Sequence, residues 1–578
     1  MILQSLVKLY EDLAAQGKIA PDGWGSVKTS FAVCLDENGA VTQLIPLVKE
    51  VVRGKKTVTV PQELRLPAPI TKTSGKASNF LWENANYLLG IPKDETEKGC
   101  KDASERFAFC RDYHHSLLND AASPTAQAIL QFFDTWDVLG AADHPAVKNL
   151  MDDLRKGGNL TFRVNGKYAF EDPVLAAVWE EHYFKSNGET MQCLVTGKEL
   201  PYELTHPKVK GVNGAQSSGA SLVSFNAPAF CSYNREQNAN APVSKYAAFA
   251  YTSALNYLLA DRDNVQHIGD ASIVCWADGA DPAYQSFSFE ALFGDERQGY
   301  DIDAVRAAVA RLAQGLPVEE LGLEPEKTFY ILGLSPNSSR LSVRFFLRDA
   351  FGNIMKNVNA HHDRMEIIKP ANDRFSTIPL WALLSETVNP NSKDKAASPV
   401  LAGAVARAIF SGGPYPASLL ESVMLRIHAE RNITRGKAAI IKAYYLKNQS
   451  EGCPKEVLTV SLNENSTNVA YNLGRMFSVF EAIQEKANPG INSTIKDKYF
   501  NSAAASPATI FPVLDNLSQK HLRKLDERSQ VYFGKTIGEL KDKFGEAYPA
   551  RLSLPEQGSF YLGYYHQTQK RYTKKEEN

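Results

Sequence analysis

The period of the hydrophobic pattern changes near residue 376, and this change limits the folds open to the chain. Before it, short apolar runs typical of strands alternate with helical segments. After it, helical patterns dominate, as in NVAYNLGRMFSVFEAI, TIFPVLDNLSQKHLRKL and GKTIGELKDKFG. The first of these has a stripe spaced as in a buried bundle helix, formed by Val469, Leu473, Met476, Phe480 and Ile483. We expect an α+β fold: a mixed region of one or two subdomains at 1–375, then a helical bundle at 376–578.

The mixed region contains several recognisable elements. Leu3, Leu6, Tyr10 and Leu13 recur at helical spacing and predict an amphipathic first helix. The segment SFAVCLDENGAVTQLIPLV predicts two strands joined by a turn at 36–39. Further strands are expected in NLTFRVNG, ASLVSF, ASIVCWAD, FYILGL and RLSVRFFLRD.

The balance of charges excludes one class of nucleic-acid binder. Lys plus Arg number 64 and Asp plus Glu number 65 in 578 residues, a formal net charge of −1. Affinity for phosphate must therefore come from local patches, which argues against a histone-like protein. The seven cysteines are scattered without a C-x-x-C pair, so neither a disulfide framework nor a zinc ribbon is expected. No stretch approaches the ~20 apolar residues that a membrane-spanning helix needs. We therefore expect a cytoplasmic protein. We also expect that it needs no cofactor.

The stretch GVNGAQSSGASLVSFN at 211–226 is unusual because it has no ionisable side chain. It lies between a basic approach, with Lys208 and Lys210, and the amide-rich segment CSYNREQNANAPVS at 231–244. Small residues let backbone approach a ligand closely, and amides and hydroxyls suit base edges and sugars in a groove. The alternative is a set of tight turns in which Ser and Asn side chains satisfy backbone groups.

Two other polar segments are candidates for phosphate contact. In RLSVRFFLRD, strand alternation predicts one face with Leu341, Val343, Phe345 and Leu347, and another with Arg340, Ser342, Arg344, Phe346 and Arg348. The alternative is a solvated outer face paired with acids on a neighbouring strand. In TKTSGKASNF, Lys72, Thr73, Ser74, Gly75 and Lys76 precede a predicted helix whose N–H groups could hold a phosphate. Capping by Ser78 or Asn79 explains that pattern equally well.

Catalytic motifs are weak. The 211–226 stretch lacks G-x-x-x-x-G-K-[ST], and the surroundings of Ser218 lack G-x-S-x-G. Cys275, beside Trp276, has no activating base nearby in the sequence. A metal phosphohydrolase using His361, His362 and Asp363 is an alternative, although no further ligand pattern is evident. We expect no enzyme, no catalytic residue and no metal site.

Several long segments together resemble one known family, the large subunit of the subtype I-C CRISPR Cascade, which is the Cas-eight type or Csd family. The resemblance runs from near residue 70 to the C-terminus. Its segments are TKTSGKASNFLWENANYLLG, GVNGAQSSGASLVSFNAPAFCSYNREQNANAPVS, FYILGLSPNSSRLSVRFFLRDAFGNI, GGPYPASLLESVMLRIHAERNITRGKAAIIKAYYLKN and FYLGYYHQTQKRY.

The resemblance implies a DNA-recognition subunit without enzymatic activity. Such a subunit is expected to read the protospacer-adjacent motif in duplex DNA and to help open the duplex. It is then expected to stabilise the R-loop and to present it to the Cas-three helicase–nuclease. Pairing with the guide RNA reads the remaining sequence. The implied partners are crRNA, double-stranded target DNA, the Cas-five and Cas-seven type subunits, and a small subunit made by internal translation of the C-terminal region. A start near Val457 or Met476 would give such a fragment.

Residues are assigned to these roles by local inference. The predicted motif-reading residues are Lys208, Lys210, Gly211, Asn213, Gly214, Gln216, Ser217, Ser218, Gly219, Asn226, Asn234, Arg235, Gln237 and Asn240. Gln216 or Asn213 is expected to act as the probe or wedge, from the minor groove. The predicted contacts to the DNA backbone or displaced strand are Lys72, Thr73, Ser74, Lys76, Arg340, Arg344, Arg348, Arg435, Lys437 and Lys442. A rival hypothesis is a purely structural ribonucleoprotein scaffold.

Overall fold

The computed structural model describes residues 1–53, 56–70, 76–185, 189–262, 265–293, 302–373, 375–393, 397–545 and 547–572. The chain forms two compact units. The first unit comprises Met1–Pro207 and Ser224–Ala254, and the second comprises Lys208–Val223 and Leu255–Asn578. No helix in the described ranges is both long enough and apolar enough to cross a membrane.

The first unit is built on a mixed sheet. Its strands and α-helices are, in chain order, α1 (Ile2–Ala15), β1 (Trp24–Leu35), β2 (Val41–Pro46), β3 (Val48–Arg53), β4 (Lys56–Pro67), β5 (Trp82–Asn84), α2 (Ala85–Leu88), α3 (Glu97–Leu118), α4 (Pro124–Thr135), α5 (Met151–Lys156), β6 (Asn159–Val164), β7 (Lys167–Tyr168), α6 (Pro173–Phe184), β8 (Thr190–Gln192), β9 (Glu199–Pro201) and α7 (Lys245–Ala260), which ends in the second unit. The sheet has the strand order β3-β4-β1-β6-β5, with β2 paired to β1 and β7 paired to β6.

Two local predictions in this unit are confirmed. The β1–β2 hairpin turns at Asp36, whose carboxylate accepts the N–H groups of Asn38 and Ala40 at 2.9 and 2.8 Å. An aspartate that bonds the backbone ahead of it in this way stabilises a tight turn. Helix α1 buries one side, including Leu6 and Tyr10, as its periodicity predicts.

The second unit combines a small sheet with helices. Its elements are β10 (Gln266–Ile268), β11 (Ala271–Ala277), α8 (Pro282–Phe293), α9 (Ile302–Ala313), β12 (Thr328–Asn337), β13 (Arg340–Ala350), α10 (Phe351–Met365), α11 (Leu380–Ser385), α12 (Pro399–Ser411), α13 (Ala417–Glu430), α14 (Arg435–Asn448), α15 (Val469–Ala487), α16 (Ile495–Ala505), α17 (Pro507–Leu522), α18 (Glu527–Lys541) and α19 (Leu554–Tyr572). Every element in this order after β13 is a helix, which confirms the predicted α+β class with a helical C-terminal region.

One hydrophobic core joins the sheet of the second unit to its C-terminal helices. It includes Phe345 of β13, Ile354 of α10, Ile440 of α14 and Phe477 of α15, all buried. Residues on both sides of position 376 therefore pack into the same core. The division of the chain at 375 and 376 stays a prediction.

The antiparallel sheet of the second unit has the order β10-β11-β12-β13 and contains a bulge. Leu334 pairs with Val343, whereas Gly333 pairs with Phe345, so Arg344 is an extra residue. An extra residue reverses the alternation of side chains along a strand. Val343 and Phe345 therefore lie on opposite faces, with exposures of 41% and 4%. The prediction of two faces along the whole strand, one apolar and one carrying the three arginines, is wrong.

Two further local predictions are wrong. The segment ASLVSF forms no strand, because Ala220 and Ser221 each make a single bridge and no ladder continues beyond them in the described residues. The helix expected after TKTSGKASNF begins only at Ala85, where the Asn84 side chain accepts the Asn86 N–H at 3.1 Å. Asn79, the predicted cap, instead accepts the Ile70 N–H at 2.9 Å.

Candidate nucleic-acid interface

Residues 208–223, here called the 208–223 loop, are fastened at their base to β13. Val209 and Ala220 exchange two backbone hydrogen bonds of 2.9 and 2.8 Å. Next to this pair, the Ser221 carbonyl accepts the N–H of Leu341 at 2.9 Å. The two ends of the loop are thus bonded to each other and to β13 of the second unit.

Glycines permit this base to close. Gly219 has a φ of +95°, and a Cβ at that position would lie 2.8 Å from both the Lys208 Cβ and the Val209 carbonyl oxygen. Gly211 has a φ of +90°, and its Cβ would lie 3.1 Å from the Leu259 side chain. A non-glycine residue at Gly219 would be strained in its backbone and would also clash with the opposite side of the base.

Side-chain contacts fix the loop from two other elements. Asn256 of α7 accepts the Lys210 N–H at 2.7 Å and donates to the Lys208 carbonyl at 3.2 Å. The hydroxyl of Ser272 on β11 accepts the N–H of Asn213 at 3.0 Å. The position of the loop backbone is therefore set by the fold of the second unit.

The tip of the loop presents polar side chains that the protein does not use. Asn213, Gln216, Ser217 and Ser218 are exposed, and their side chains form no hydrogen bond with the part of the chain that the structure describes. In a run of tight turns, such side chains usually bond to nearby backbone groups. A fixed backbone with unused amides and hydroxyls favours the interpretation as a ligand-binding loop.

The amide-rich segment at 231–244 belongs to the first unit, and one of its predicted contact residues has a structural role. Asn240 accepts the Ser232 N–H at 2.8 Å and donates to the carbonyls of Arg235 and Gln237, each at 2.9 Å. Gln237 in turn accepts the hydroxyl of Thr205 at 2.9 Å. The amide of Asn240 therefore organises this segment from within.

The same segment exposes other groups, including one that sequence reasoning missed. Asn226, Asn234 and Arg235 are exposed, as predicted for a contact surface. Tyr233 is 94% exposed and, like Asn234, adopts a positive φ. A bulky residue is rarely found in that conformation. The sequence signal that could have identified Tyr233 as a surface residue is an isolated aromatic side chain inside an amide-rich turn.

The arginines of β13 have separate environments. Arg344 forms an ion pair with Asp270 at 2.7 Å, and its Nε donates to the Ser335 hydroxyl at 2.8 Å. The Arg348 guanidinium lies 5.9 Å from the centre of the Tyr330 ring. The bulge and these contacts divide the arginine row predicted from the sequence.

A row of stacked aromatic rings lies beside Arg348. The Tyr330 ring stacks on Trp276 and on Phe346, with centroid separations of 5.0 and 6.2 Å. Trp276 and Tyr330 are each only 3% exposed, so the row supports the sheet. The sequence could not reveal it, because these neighbours depend on strand register.

Three predicted backbone contacts lie inside the second unit. Arg435, Lys437 and Lys442 are 9%, 2% and 3% exposed. Arg435 pairs with Asp373 at 3.1 Å, and Lys437 pairs with Glu430. Burial lowers the pKa of Lys442. Their charges are used within the fold, so we remove all three from the candidate surface.

The remaining predicted phosphate contacts lie near the start of the chain. Lys76 forms an ion pair with the Glu105 carboxylate. Lys72, Thr73 and Ser74 lie outside the described residues. No helix N-terminus follows them directly, because the next helix, α2, begins at Ala85.

The histidine pair considered for metal chemistry is largely enclosed. His361 is buried, and its Nδ1 lies 2.7 Å from the Tyr415 hydroxyl. Burial lowers the pKa of His362 to about 4. Asp363 is exposed and accepts from Asn359 at 3.2 Å. Among the described residues, no group of three or more His, Cys, Asp or Glu side chains could hold a metal ion.

Comparison with known proteins places the chain in a family. No curated protein matches it. The model of the CRISPR-associated protein family Csd1 matches residues 6–572, which is nearly the whole chain. The chain therefore belongs to the Csd1 family of CRISPR-associated proteins.

Proposed function

We propose that this chain is the large subunit of a subtype I-C CRISPR surveillance complex and that it reads the protospacer-adjacent motif through the 208–223 loop. Family membership supports a subunit of a CRISPR effector complex. The observation that carries the finer proposal is the fixed loop whose tip exposes Asn213 and Gln216 with unused amides.

The chemistry of the tip suits base reading in duplex DNA. The minor groove presents acceptors at A·T pairs, to which an amide N–H₂ can donate. The glycines and serines of the loop add little bulk, so its backbone can enter a narrow groove. Lys208 and Lys210 are exposed and precede the tip in the chain, and the Lys208 Nζ donates to the Ser221 hydroxyl at 2.7 Å. Such cations can approach phosphates, which position a protein without reading sequence. The loop thus combines a reading tip with a positioning base.

The remaining roles follow from the proposed position of the subunit in the cytoplasmic complex. We propose that crRNA pairs with the target strand, and that this chain helps to open the duplex and stabilises the R-loop. Its partners would be the Cas-five and Cas-seven type subunits and the Cas-three helicase–nuclease. The exposed residues Asn234 and Arg235 stay candidates for motif reading, and the exposed Arg348 stays a candidate for contact with the DNA backbone or displaced strand.

The test is motif preference in the assembled complex. Changing Asn213→Ala together with Gln216→Ala should lower the ratio of affinities for duplexes with and without the motif by about tenfold or more, since one good base contact contributes about 1–3 kcal/mol. Affinity for DNA without the motif should change little. The measurement is fluorescence anisotropy with a panel of duplexes that differ only in the motif.

A matched control exists on α4. Gln127 and Gln131 are exposed amides on this helix, and their replacement by alanine should leave the ratio unchanged. Replacing Lys210 by alanine should instead weaken binding to all duplexes and reduce its salt dependence. An unchanged motif preference in the Asn213→Ala, Gln216→Ala variant would show that the 208–223 loop does not read the motif.

A further inference from the structure

A groove lies between β13 and α12, and we call it the β13 groove. It has a volume of about 630 Å³. One side is formed by Val343 and Arg344 of β13, and the other by α12 and the turn that follows it. The α12 side includes Val400, Gly403 and Arg407.

The strand at this groove has an edge that is only partly covered. β13 is the last strand in the order β10-β11-β12-β13. The 208–223 loop covers its beginning, where Leu341 donates its N–H outward to the Ser221 carbonyl. Because backbone groups repeat every second residue along a strand, the N–H of Val343 points to the same outer side. An edge of this kind is a template for another strand.

The side chains of the groove define what it can accept. Val343 and Val400 are apolar and 41% and 68% exposed. The small residues Gly403 and Ala404 leave room for side chains of a ligand. Arg407 is exposed and forms no ion pair with the described residues, whereas Arg344 is engaged by Asp270. The described lining contains no Asp or Glu, and its surface is polar and apolar in about equal parts, with the positive charge of Arg407 at one side.

We propose that the β13 groove binds an extended acidic peptide segment of a partner protein, which adds to the sheet as a strand beside Val343. Strand addition takes affinity from backbone hydrogen bonds and specificity from pockets for alternate side chains. An apolar residue would lie between Val343 and Val400, and an acidic residue would face Arg407. A nucleic-acid backbone is a poorer match, because it needs a row of available cations and gains nothing from exposed valines.

Three fluorescein-labelled probes test the proposal on the full chain. They are an eight-residue peptide alternating valine and glutamate, the same peptide with lysine for glutamate, and a single strand of eight thymidines. Fluorescence anisotropy should show that the acidic peptide binds more tightly than the basic one. Arg407→Glu should weaken binding of the acidic peptide by about tenfold or more and improve binding of the basic one, because it replaces an attraction between opposite charges by a repulsion.

A second pair of variants tests the strand edge. Val343→Pro removes the outward N–H without removing a donor to β12, since proline is tolerated where the N–H faces away from the sheet. It should also weaken the acidic peptide by about tenfold, and Val343→Thr, which keeps the N–H, should remain within about twofold. Circular dichroism and thermal unfolding check that each variant is folded.

Each other outcome overturns the proposal. Equal affinity for the acidic and basic peptides removes the charge argument, and an unchanged affinity in Val343→Pro removes strand addition. Binding of the thymidine strand that is lost in Arg407→Glu, without binding of the acidic peptide, assigns the groove to nucleic acid instead.

Discussion

At the scale of single residues, several histidines are held neutral by their surroundings. Burial lowers the pKa of His114, His206 and His566 to about 4. His566 illustrates the cause: its Nδ1 lies 2.8 Å from the Tyr471 hydroxyl, which itself accepts the Asn463 N–H. This single polar partner suits a neutral imidazole, which needs no counter-charge. Protonation would place a charge in the core beside Lys442, which also lowers this pKa.

This arrangement makes stability depend on pH. The folded pKa lies below the value of about 6.5 in an unfolded chain, so between these values only the unfolded state binds the proton. The free energy of unfolding should be fully retained above pH 6.5 and should fall as the pH drops towards 4, by about 1.4 kcal/mol per pH unit for each such histidine. Urea unfolding across this range measures the slope. In His566→Gln the slope should be shallower by that amount, and an identical slope would contradict the assignment.

Residue-scale predictions from sequence failed where the surroundings decide the role. Lys437 and Lys442 look like a basic patch in the sequence, yet both are buried: Lys437 pairs with Glu430, and Lys442 donates to the backbone carbonyl of Arg364. Asn240 looks like a base reader, yet it bonds three backbone groups. Composition could identify the 211–226 stretch as unusual, because its lack of ionisable side chains is visible in the sequence itself.

At the scale of elements, helices α15 and α19 approach each other closely. A Cβ at Gly474 would lie 1.9 Å from the Phe560 carbonyl oxygen, and one at Gly563 would lie 2.0 Å from that of Tyr471. The two helix backbones therefore touch at these glycines. The apolar stripe of α15 was correctly predicted, with Leu473, Met476, Phe480 and Ile483 buried and Val469 half-buried. The pairing of α15 with α19 was not predicted, because the sequence does not show which helix the glycines of α15 pack against.

Replacing either glycine should separate the helices. Alanine favours an isolated helix by about 1 kcal/mol, but the clash with backbone here is not relieved by moving a side chain. Gly474→Ala should lower the free energy of unfolding by about 3 kcal/mol or more, measured by urea unfolding. Gly538 of α18 is the control, since a Cβ there meets nothing within 4 Å. Gly538→Ala should stabilise the protein, and similar behaviour of the two variants would refute the close contact.

The strand β13 shows why some element-level predictions failed. Both β12 and β13 were correctly predicted as strands. The bulge at Arg344 was not, because one extra residue leaves no mark in an alternating pattern of apolar and polar residues. Every facing relation beyond Arg344 is reversed as a result, and Phe345 packs into the core while Val343 faces the groove.

At the scale of the whole chain, the units are discontinuous in sequence. The first unit is interrupted by Lys208–Val223, which belongs to the second. Patterns of charge and period are local, whereas membership of a unit depends on distant pairs such as Ser221 with Leu341. The α+β class could therefore be predicted from sequence. The membership of Lys208–Val223 in the second unit could not.

The structure also separates the two starts considered for a short C-terminal form. A chain beginning at Met476 would lack the first part of α15, including Gly474 and Tyr471, both of which contact α19. A chain beginning near Val457 keeps this helix pair whole. We expect mass spectrometry of the purified complex to show a short chain beginning near Val457, and a fragment from that position to unfold cooperatively. A stable fragment from Met476, with none from Val457, would reverse this choice.

The attachment of the 208–223 loop has a consequence for biosynthesis. The loop closes against β13, whose first residues are added about 120 positions after Ser221. At about 5–20 residues per second, the ribosome needs roughly 6 to 24 seconds to reach them. The segment proposed to read DNA is thus translated early and folds late, so a nascent chain completes the 208–223 loop only after the last strand of the second sheet has emerged.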